Sequence, residues 1–285
     1  MDHQQKQLER IRAVVDKLPS LSTAVAKVLE ICSQPDPPAN DLNRVISLDP
    51  VLTGQVLKLI NSAYYSLANK VTSLTRAIIM LGLNTVKNLA LSSTIVQTVN
   101  RSDRSKMLPI KNFWTHSIGV GVLAKLLAGE CGLPAAEREE FFVAGLLHDL
   151  GKIPLGNTYN EVIRQASATQ SPLSSLENEL LGIDHAVVGG EIAVRWKLNA
   201  AITAVMQHHH APAEADPEYR RLVAIVALAD FYVCLFDIGY SGNRFPDATQ
   251  LPLLLEWCGL EWETLVRLQE TVDEEITKAE IFLQI

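Results

Sequence analysis

Apolar residues recur along most of this chain at steps of three and four, whereas the strict alternation of half-buried strands is almost absent. This spacing predicts amphipathic helices joined by short polar turns, and therefore an all-α fold. Asp49 followed by Pro50 is a typical helix start, and Gly82 separates two neighbouring helical stretches. In the first hundred residues the pattern predicts helices at 4–16, 21–34, 41–47, 51–61, 73–81 and 84–99.

A second group of helical patterns follows a polar, charged and turn-prone stretch at 100–106. Such a stretch is the best candidate for a domain boundary. We therefore predict an N-terminal helical bundle, residues 1–103, packed against a C-terminal helical domain, residues 104–285. The helices predicted in that domain lie at 112–132, 137–150, 160–168, 174–181, 185–196, 200–208, 219–236 and 261–282.

The charge and the cysteine content narrow the functional classes. A formal net charge of −7 and a pI near 5.5 argue against general nucleic-acid binding, which needs a basic surface. The four cysteines are far apart without a CxxC pair, and the polar start has no signal peptide, so we expect a cytoplasmic protein. The longest apolar run, 222–236, is shorter than a membrane span and contains Asp230, so it predicts a buried helix.

The most informative stretch is 144–152, where His148 and Asp149 are adjacent at the end of an apolar helix. Imidazole nitrogen and carboxylate oxygen are ligands that divalent transition metals bind. Adjacent side chains on a helix diverge by about 100°, so both reach one ion only if it lies beyond the helix end. Gly151 suits that position, because glycine ends helices and lets a ligand approach the backbone. Lys152 adds a cation just after the pair.

Two further residues interrupt buried apolar faces. His116 shares a predicted helix face with apolar residues, and Asp230 is the single charged residue of the run 222–236. A buried carboxylate without a partner is costly, so a cation should meet Asp230. A metal ion, a buried Lys or Arg, or a protonated His would each serve. Individually such residues are more often core or surface groups than ligands, but their order along one helical block favours a shared site.

These residues resemble the signature of the HD-domain phosphohydrolase superfamily, here His116, His148, Asp149 and Asp230. Further histidines resemble the larger ligand set of its HD-GYP branch, which cleaves cyclic dinucleotides at a site of two or three metals; they are His185, His209 and His210. Residues 18–212 look most like another branch, the HDOD (HD-related output domain) family. The segments that carry this resemblance are Leu18-Pro-Ser-Leu21, Ile46-Ser-Leu-Asp-Pro50, Leu57-Lys-Leu-Ile-Asn-Ser-Ala-Tyr64, Ala77-Ile-Ile-Met-Leu-Gly82, Gly182-Ile-Asp-His-Ala186 and His209-His-Ala-Pro212.

The resemblance implies that residues 104–285 form an HD-like domain with two metal ions bridged by Asp149. One ion would be held by His116, His148 and Asp230, and the other by His185, His209 and His210. Mixed imidazole and carboxylate ligands suit iron, manganese or zinc, so we expect a divalent transition metal without choosing among the three. Lys152 would neutralise a substrate phosphate as a catalytic residue, or would compensate a helix dipole.

The sequence also departs from the enzymatic pattern. Asn112 stands where metal-rich sites add a glutamate, so a third ion is not expected. The loop at 211–218 is acidic, and it replaces the Gly-Tyr-Pro loop that helps HD-GYP enzymes hold their substrate.

Two functions follow. In the first, the chain is an HDOD-type regulatory module of bacterial signal transduction that acts through a protein partner and retains an HD-type di-metal site. In the second, it is a metal-dependent phosphohydrolase acting on a nucleotide or cyclic dinucleotide. The acidic loop and the HDOD resemblance favour the first, and the intact ligand order favours the second. Neither involves nucleic acid or a membrane. Tyr64 and Tyr65 either pack against their own bundle or belong to a partner-binding surface.

Overall fold

The computed structural model describes residues 3–32, 38–102 and 109–284. The described residues form α-helices and short 3₁₀ helices and no β-strands, which confirms the predicted all-α class. The α-helices of the described residues are α1 (His3–Asp16), α2 (Thr23–Cys32), α3 (Ala39–Ser47), α4 (Pro50–Ile60), α5 (Leu74–Leu81), α6 (Leu83–Ser102), α7 (Ile110–Glu130), α8 (Ala135–Leu147), α9 (Tyr159–Thr169), α10 (Leu173–Leu181), α11 (His185–Arg195), α12 (Ala200–His208), α13 (Arg220–Leu235), α14 (Leu251–Cys258), α15 (Trp262–Arg267) and α16 (Gln269–Ala279).

Helices α2 to α6 form the N-terminal bundle, and capping residues in the sequence fix several of their ends. The Asp49 carboxylate accepts hydrogen bonds from the backbone N–H groups of Val51 and Leu52 at 3.1 and 3.0 Å. These bonds satisfy donors that the first turn of α4 leaves without helical partners. Gly82 adopts φ 83° between α5 and α6, where the chain turns sharply.

The predicted boundary between the two blocks is only partly described. Helix α6 continues to Ser102, beyond the predicted end at residue 99. The rest of the polar stretch, 103–106, and with it the boundary at 103/104, lies outside the described residues. The division into residues 1–103 and 104–285 therefore stays a prediction.

Helices α7, α8 and α13 form the centre of the C-terminal block. Two facing glycines let α7 and α8 approach closely, because a Cβ on Gly145 would lie only 2.7 Å from the Cα of Gly121. Any side chain there would force the two backbones apart. This approach brings His116 of α7 near His148 at the end of α8.

Two predicted helix assignments are corrected, and one helix was missed. The helix predicted at 137–150 ends at Leu147, and the chain continues as a 3₁₀ segment, Leu150–Thr158. The closing helix predicted at 261–282 is divided into α15, α16 and a 3₁₀ turn, with Leu268 at the division. Helix α14 was not predicted, although a proline at its start is typical of a first helical turn.

The turn after α4 links the bundle to the C-terminal block. The Tyr65 hydroxyl donates to Glu139 Oε1 at 2.6 Å, and Lys125 Nζ donates to Glu139 Oε2 at 2.7 Å. Lys125 Nζ also donates to the Tyr64 hydroxyl at 3.1 Å. The two tyrosine rings lie edge to face, with their centroids 5.1 Å apart. Both tyrosines therefore pack against their own protein.

No single helix of the described residues combines the length and the apolar character needed to cross a membrane. Only α5 and part of α6, counted together, reach that length and composition, and the two are bent by 118° at their junction.

Candidate metal centre

The seven side chains predicted as metal ligands converge in one buried cluster of the C-terminal block. They come from α7, the end of α8, the start of α11, the turn after α12 and the middle of α13. Their donor atoms form three overlapping groups, and within each group all donors lie within 4.8 Å of one another. The groups are His116 with His148 and Asp230, His148 with Asp149 and His209, and His185 with His209 and His210.

The ends of two helices determine where three of the histidines lie. The Asp184 carboxylate accepts a first-turn backbone N–H at 2.9 Å, so α11 begins at His185. The Asn199 side chain caps α12 in the same way at 2.8 Å. Because α12 ends at residue 208, His209 and His210 fall in the following turn. His185 is thus placed by the start of α11, and His209 and His210 by the end of α12.

The first half-site consists of His116, His148, Asp230 and the Oδ2 atom of Asp149. His116 Nε2 lies 3.1 Å from Asp230 Oδ1 and 3.5 Å from Asp149 Oδ2. His148 Nε2 lies 3.4 Å from Asp149 Oδ2 and 3.6 Å from Asp230 Oδ1. Two imidazole nitrogens and two carboxylate oxygens therefore meet at one place, the donor set that a divalent transition metal binds.

The second half-site consists of His185, His209, His210 and the Oδ1 atom of Asp149. His185 Nε2 lies 3.2 Å from Asp149 Oδ1, and His209 Nε2 lies 3.7 Å from the same oxygen. The Nε2 atoms of His209 and His210 lie 3.2 and 2.9 Å from His185 Nε2. Asp149 therefore presents one oxygen to each half-site.

Three buried atoms that could ligate a metal have no hydrogen-bond partner: His116 Nε2, His148 Nε2 and Asp149 Oδ1. Although they approach other polar atoms closely, the geometry is not that of hydrogen bonds. Buried polar atoms are normally satisfied, so unpaired ones call for a ligand. The other ring nitrogen of His148 lies 2.6 Å from the Gly145 carbonyl oxygen, which holds the ring with Nε2 toward the half-site. The cluster can therefore bind a metal.

The first half-site keeps its carboxylates charged. Burial alone would raise the pKa of Asp149, but His148 and Lys152 hold it well below its usual value. Burial would likewise raise the pKa of Asp230, but the adjacent imidazoles of His116 and His148 hold it well below its usual value. Burial opposes charge on His148, yet the carboxylates of Asp149 and Asp230 raise its pKa to about 10. Two buried anions thus require cations, and without a metal these are the protonated His148 and the ammonium of Lys152.

In the second half-site, the pKa of His185 is raised, whereas those of His209 and His210 are lowered. Burial disfavours a charged His185, but the Glu177 carboxylate raises its pKa to about 9. Burial and the neighbouring His185 lower the pKa of His210 to about 4. Burial and His210 also lower the pKa of His209. His209 and His210 are therefore neutral imidazoles near pH 7, the form in which histidine binds metals.

Lys152 points into the cluster. Its Nζ donates to Asp149 Oδ2 at 2.6 Å and to the Ser241 hydroxyl at 3.0 Å, and the residue is 3% exposed. Burial would lower the pKa of Lys152, but the Asp149 carboxylate raises it. In this structure Lys152 is the counter-ion of Asp149. Its predicted catalytic contact with a substrate phosphate stays a prediction.

Gly151 has a different role from the predicted one. The chain does not end its helical course there, and a Cβ on Gly151 would lie 1.8 Å from the His185 carbonyl oxygen. The missing side chain lets the 3₁₀ segment pack against the start of α11. This contact, rather than the approach of a ligand, requires glycine, and it brings His185 beside Asp149.

Sequence reasoning missed Glu177. This carboxylate is fully buried on α10, and its Oε2 accepts hydrogen bonds from the Nδ1 and the backbone N–H of His185, at 2.6 and 2.9 Å. The Tyr159 hydroxyl donates to the other oxygen, Oε1. A glutamate on an amphipathic helix usually faces solvent, so the pattern carried no signal for this contact.

Residues 239–250, here called the covering segment, lie over the outer side of the cluster. Ser241 bonds to Lys152, and Gln250 Nε2 donates to the His210 carbonyl oxygen at 3.1 Å. The cavity that remains beside His209, His210 and Asp230 has a volume of about 30 Å³. An ion or a water molecule fits this space.

Solved structures share the fold over nearly the whole chain. An HDOD domain protein of unknown function from Geobacter sulfurreducens is 26% identical, with a TM-score of 0.78 and 98% of both chains covered. A provisionally named phosphohydrolase from Shewanella amazonensis SB2B is 25% identical, with a TM-score of 0.70 and coverage of 94% of this chain and 97% of that one.

Curated relatives match over shorter lengths. An uncharacterized protein from Treponema pallidum is 26% identical over 227 residues, which are 78% of this chain and 43% of the relative. The Ribonuclease Y of Mycoplasma mycoides is 30% identical over 180 residues, 58% of this chain and 36% of that protein. This chain thus spans less than half the length of these relatives.

The family model described as HDOD domain matches residues 18–212. The match spans the N-terminal bundle and most of the candidate metal centre. Because it covers more than half of the sequence, the chain belongs to the HDOD domain family, as its motifs predicted.

Proposed function

We propose that this chain is a signal-transduction module that acts through a protein partner, and that its buried cluster holds two divalent transition-metal ions in a structural role. The observation that carries this proposal is the small space beside the cluster, a cavity of about 30 Å³. Pockets for ligands of nucleotide size measure roughly 300–1,000 Å³. An ion can therefore occupy the cluster, whereas a nucleotide cannot enter it in this conformation.

The donor set supports two ions rather than one. Asp149 presents Oδ2 to the first half-site and Oδ1 to the second, and each half-site adds three further donors. When bound, two such ions would lower the pKa of a shared water and stabilise charge on a phosphoryl oxygen. Iron, manganese and zinc all suit mixed imidazole and carboxylate ligands.

The charge of the chain bears on the partner. A net charge of −7 and an acidic loop at 211–218 disfavour a nucleic-acid ligand. The family resemblance implies another signalling protein. Because the space beside the metal cluster is too small for a peptide segment, we propose that the partner binds the outer surface of the helices and not the ions.

A metal-dependent phosphohydrolase acting on a nucleotide or cyclic dinucleotide is the second candidate. The full set of seven donors and the similarity to a provisionally named phosphohydrolase and to Ribonuclease Y favour it. This function requires the covering segment to move, because Ser241 engages Lys152 and Gln250 engages the backbone of His210.

Elemental analysis and a phosphodiesterase screen test the proposal together. We expect about two equivalents of transition metal per purified chain, lost in His148→Ala and Asp149→Ala. His208→Ala is the matched control, because His208 adjoins the cluster without belonging to it, and this variant should retain the metal. Cyclic and linear dinucleotides, and a short single-stranded RNA, should remain uncleaved with and without added iron or manganese.

The outcomes separate the candidates. Metal binding without cleavage supports the regulatory module. Cleavage that disappears in Asp149→Ala but persists in His208→Ala would establish the phosphohydrolase instead. A wild-type protein that binds no metal under any condition would end both metal-dependent proposals.

A further inference from the structure

Glu177 contacts one candidate metal ligand, His185, and none of the other six described above. Its Oε2 accepts both the Nδ1 and the backbone N–H of His185, and its Oε1 accepts the Tyr159 hydroxyl. Glu177 is 0% exposed and Tyr159 is 1% exposed. Both carboxylate oxygens already have donors, so the group is not arranged to bind an ion itself.

The histidines of the cluster differ in what holds their Nδ1 atoms. His148 Nδ1 lies 2.6 Å from the Gly145 carbonyl oxygen, and His209 Nδ1 lies 3.0 Å from the Val205 carbonyl oxygen. Those carbonyls are neutral, whereas the partner of His185 is a carboxylate. A carboxylate behind an imidazole fixes the ring orientation and makes the opposite nitrogen a stronger donor. Among the described contacts of these three histidines, only His185 has this support.

His185 belongs to one half-site only. Its Nε2 lies 2.9 to 3.2 Å from the nearest donors of the other three members of the second half-site. We infer that Glu177 and Tyr159 are positioning residues for the second ion and leave the first ion unaffected. This inference rests on the proposed two-ion site, and it adds that the two ions depend on different parts of the chain.

Cobalt(II) titration of the metal-free protein, followed by visible absorption and isothermal calorimetry, tests the inference. We expect two binding steps in the wild type. Glu177→Gln retains an oxygen that can accept from His185 but removes the charge. We expect the second step to require about 10–100-fold more cobalt in this variant, with the first step unchanged.

Tyr159→Phe provides a second test that keeps the buried ring. It removes one donor to Glu177, so we expect a smaller shift of the same step. Glu179→Gln is the matched control, because Glu179 is exposed on the same helix and should alter neither step. His116→Ala identifies the first step, which it should abolish. Circular dichroism of each metal-free variant reports whether the helices are retained.

The results distinguish this inference from the proposed function. A wild type that takes up two cobalt ions, while Glu177→Gln and Tyr159→Phe bind both ions as the wild type does, would overturn the positioning role alone. Equal weakening of both steps in Glu177→Gln would also overturn it, since that is what a general packing defect produces. A wild type that binds no cobalt would overturn the metal site and this inference with it.

Discussion

At the scale of a single residue, Asp149 links the two half-sites through its two carboxylate oxygens. Its Oδ2 lies 3.4 Å from His148 Nε2, and its Oδ1 lies 3.2 Å from His185 Nε2. Lys152 Nζ lies 2.6 Å from Oδ2 and compensates its charge. A buried carboxylate with one oxygen toward each donor group has the geometry of a bridging ligand, and the adjacent ammonium keeps it ionised without a metal.

Gly151 gives a prediction at the same scale. A Cβ there would lie 1.8 Å from the His185 carbonyl oxygen, so Gly151→Ala must separate the 3₁₀ segment from α11. Overpacking of this kind costs about 1–3 kcal/mol and more where backbone must move. We expect Gly151→Ala to lower the free energy of unfolding by about 3 kcal/mol or more, measured by urea denaturation, and to weaken metal binding.

Gly54→Ala is the control for that substitution. Gly54 is exposed on α4, and a Cβ there would meet nothing within 4 Å. Alanine is favoured over glycine inside a helix by about 0.5–1 kcal/mol, so this variant should be more stable than the wild type. Wild-type stability in Gly151→Ala would contradict the packing of the 3₁₀ segment against α11.

At the scale of elements, the turn after α4 links the two blocks. Its tyrosines contact Lys125 on α7 and Glu139 on α8, which also form an ion pair with each other. The side chain of Glu139 is 4% exposed and that of Lys125 is 28% exposed. Lys125→Met leaves the buried carboxylate without its cation, which should lower the free energy of unfolding by roughly 3 kcal/mol. Lys125→Met combined with Glu139→Gln should recover part of this loss. A double variant no more stable than Lys125→Met would argue against the ion pair.

The sequence predicted most helices because their signals are local. Asp49 caps α4 as predicted, and α12 has its predicted bounds. The continuous pattern at 261–282 concealed the division at Leu268, since apolar spacing continues across a brief change of helical bonding. The proximity of the histidines followed from a recognised motif order. Glu177 could not be found, because its partner is set by the packing of α10 on α11 and not by spacing.

At the scale of the whole molecule, the cluster connects α7, α8, α11, α12 and α13 around two candidate ions. Side chains as far apart in the sequence as His116 and Asp230 thereby meet in one cluster, which the covering segment partly covers. Bound metal should therefore act as a cross-link that exists only in the folded protein. Loss of metal should affect the stability of the whole C-terminal block.

Metal removal gives the corresponding prediction. A ligand present at about 100 times its Kd stabilises the folded state by about 2.7 kcal/mol. A change of 1 kcal/mol shifts the Tm of a large domain by roughly 2–4 °C. We expect chelation to lower the Tm by roughly 5–10 °C in scanning calorimetry. His148→Ala should show no such response, and a metal-loaded wild type whose Tm ignores chelation would contradict a structural role.

Anomalous diffraction from crystals grown with iron or manganese tests most directly whether these side chains bind two ions. Maps at the absorption edge should show one peak among His116, His148, Asp149 and Asp230, and a second among Asp149, His185, His209 and His210. Each peak should lie about 2.0–2.2 Å from its nitrogen and oxygen donors. Maps without a peak at either position, from metal-saturated crystals, would contradict the metal centre.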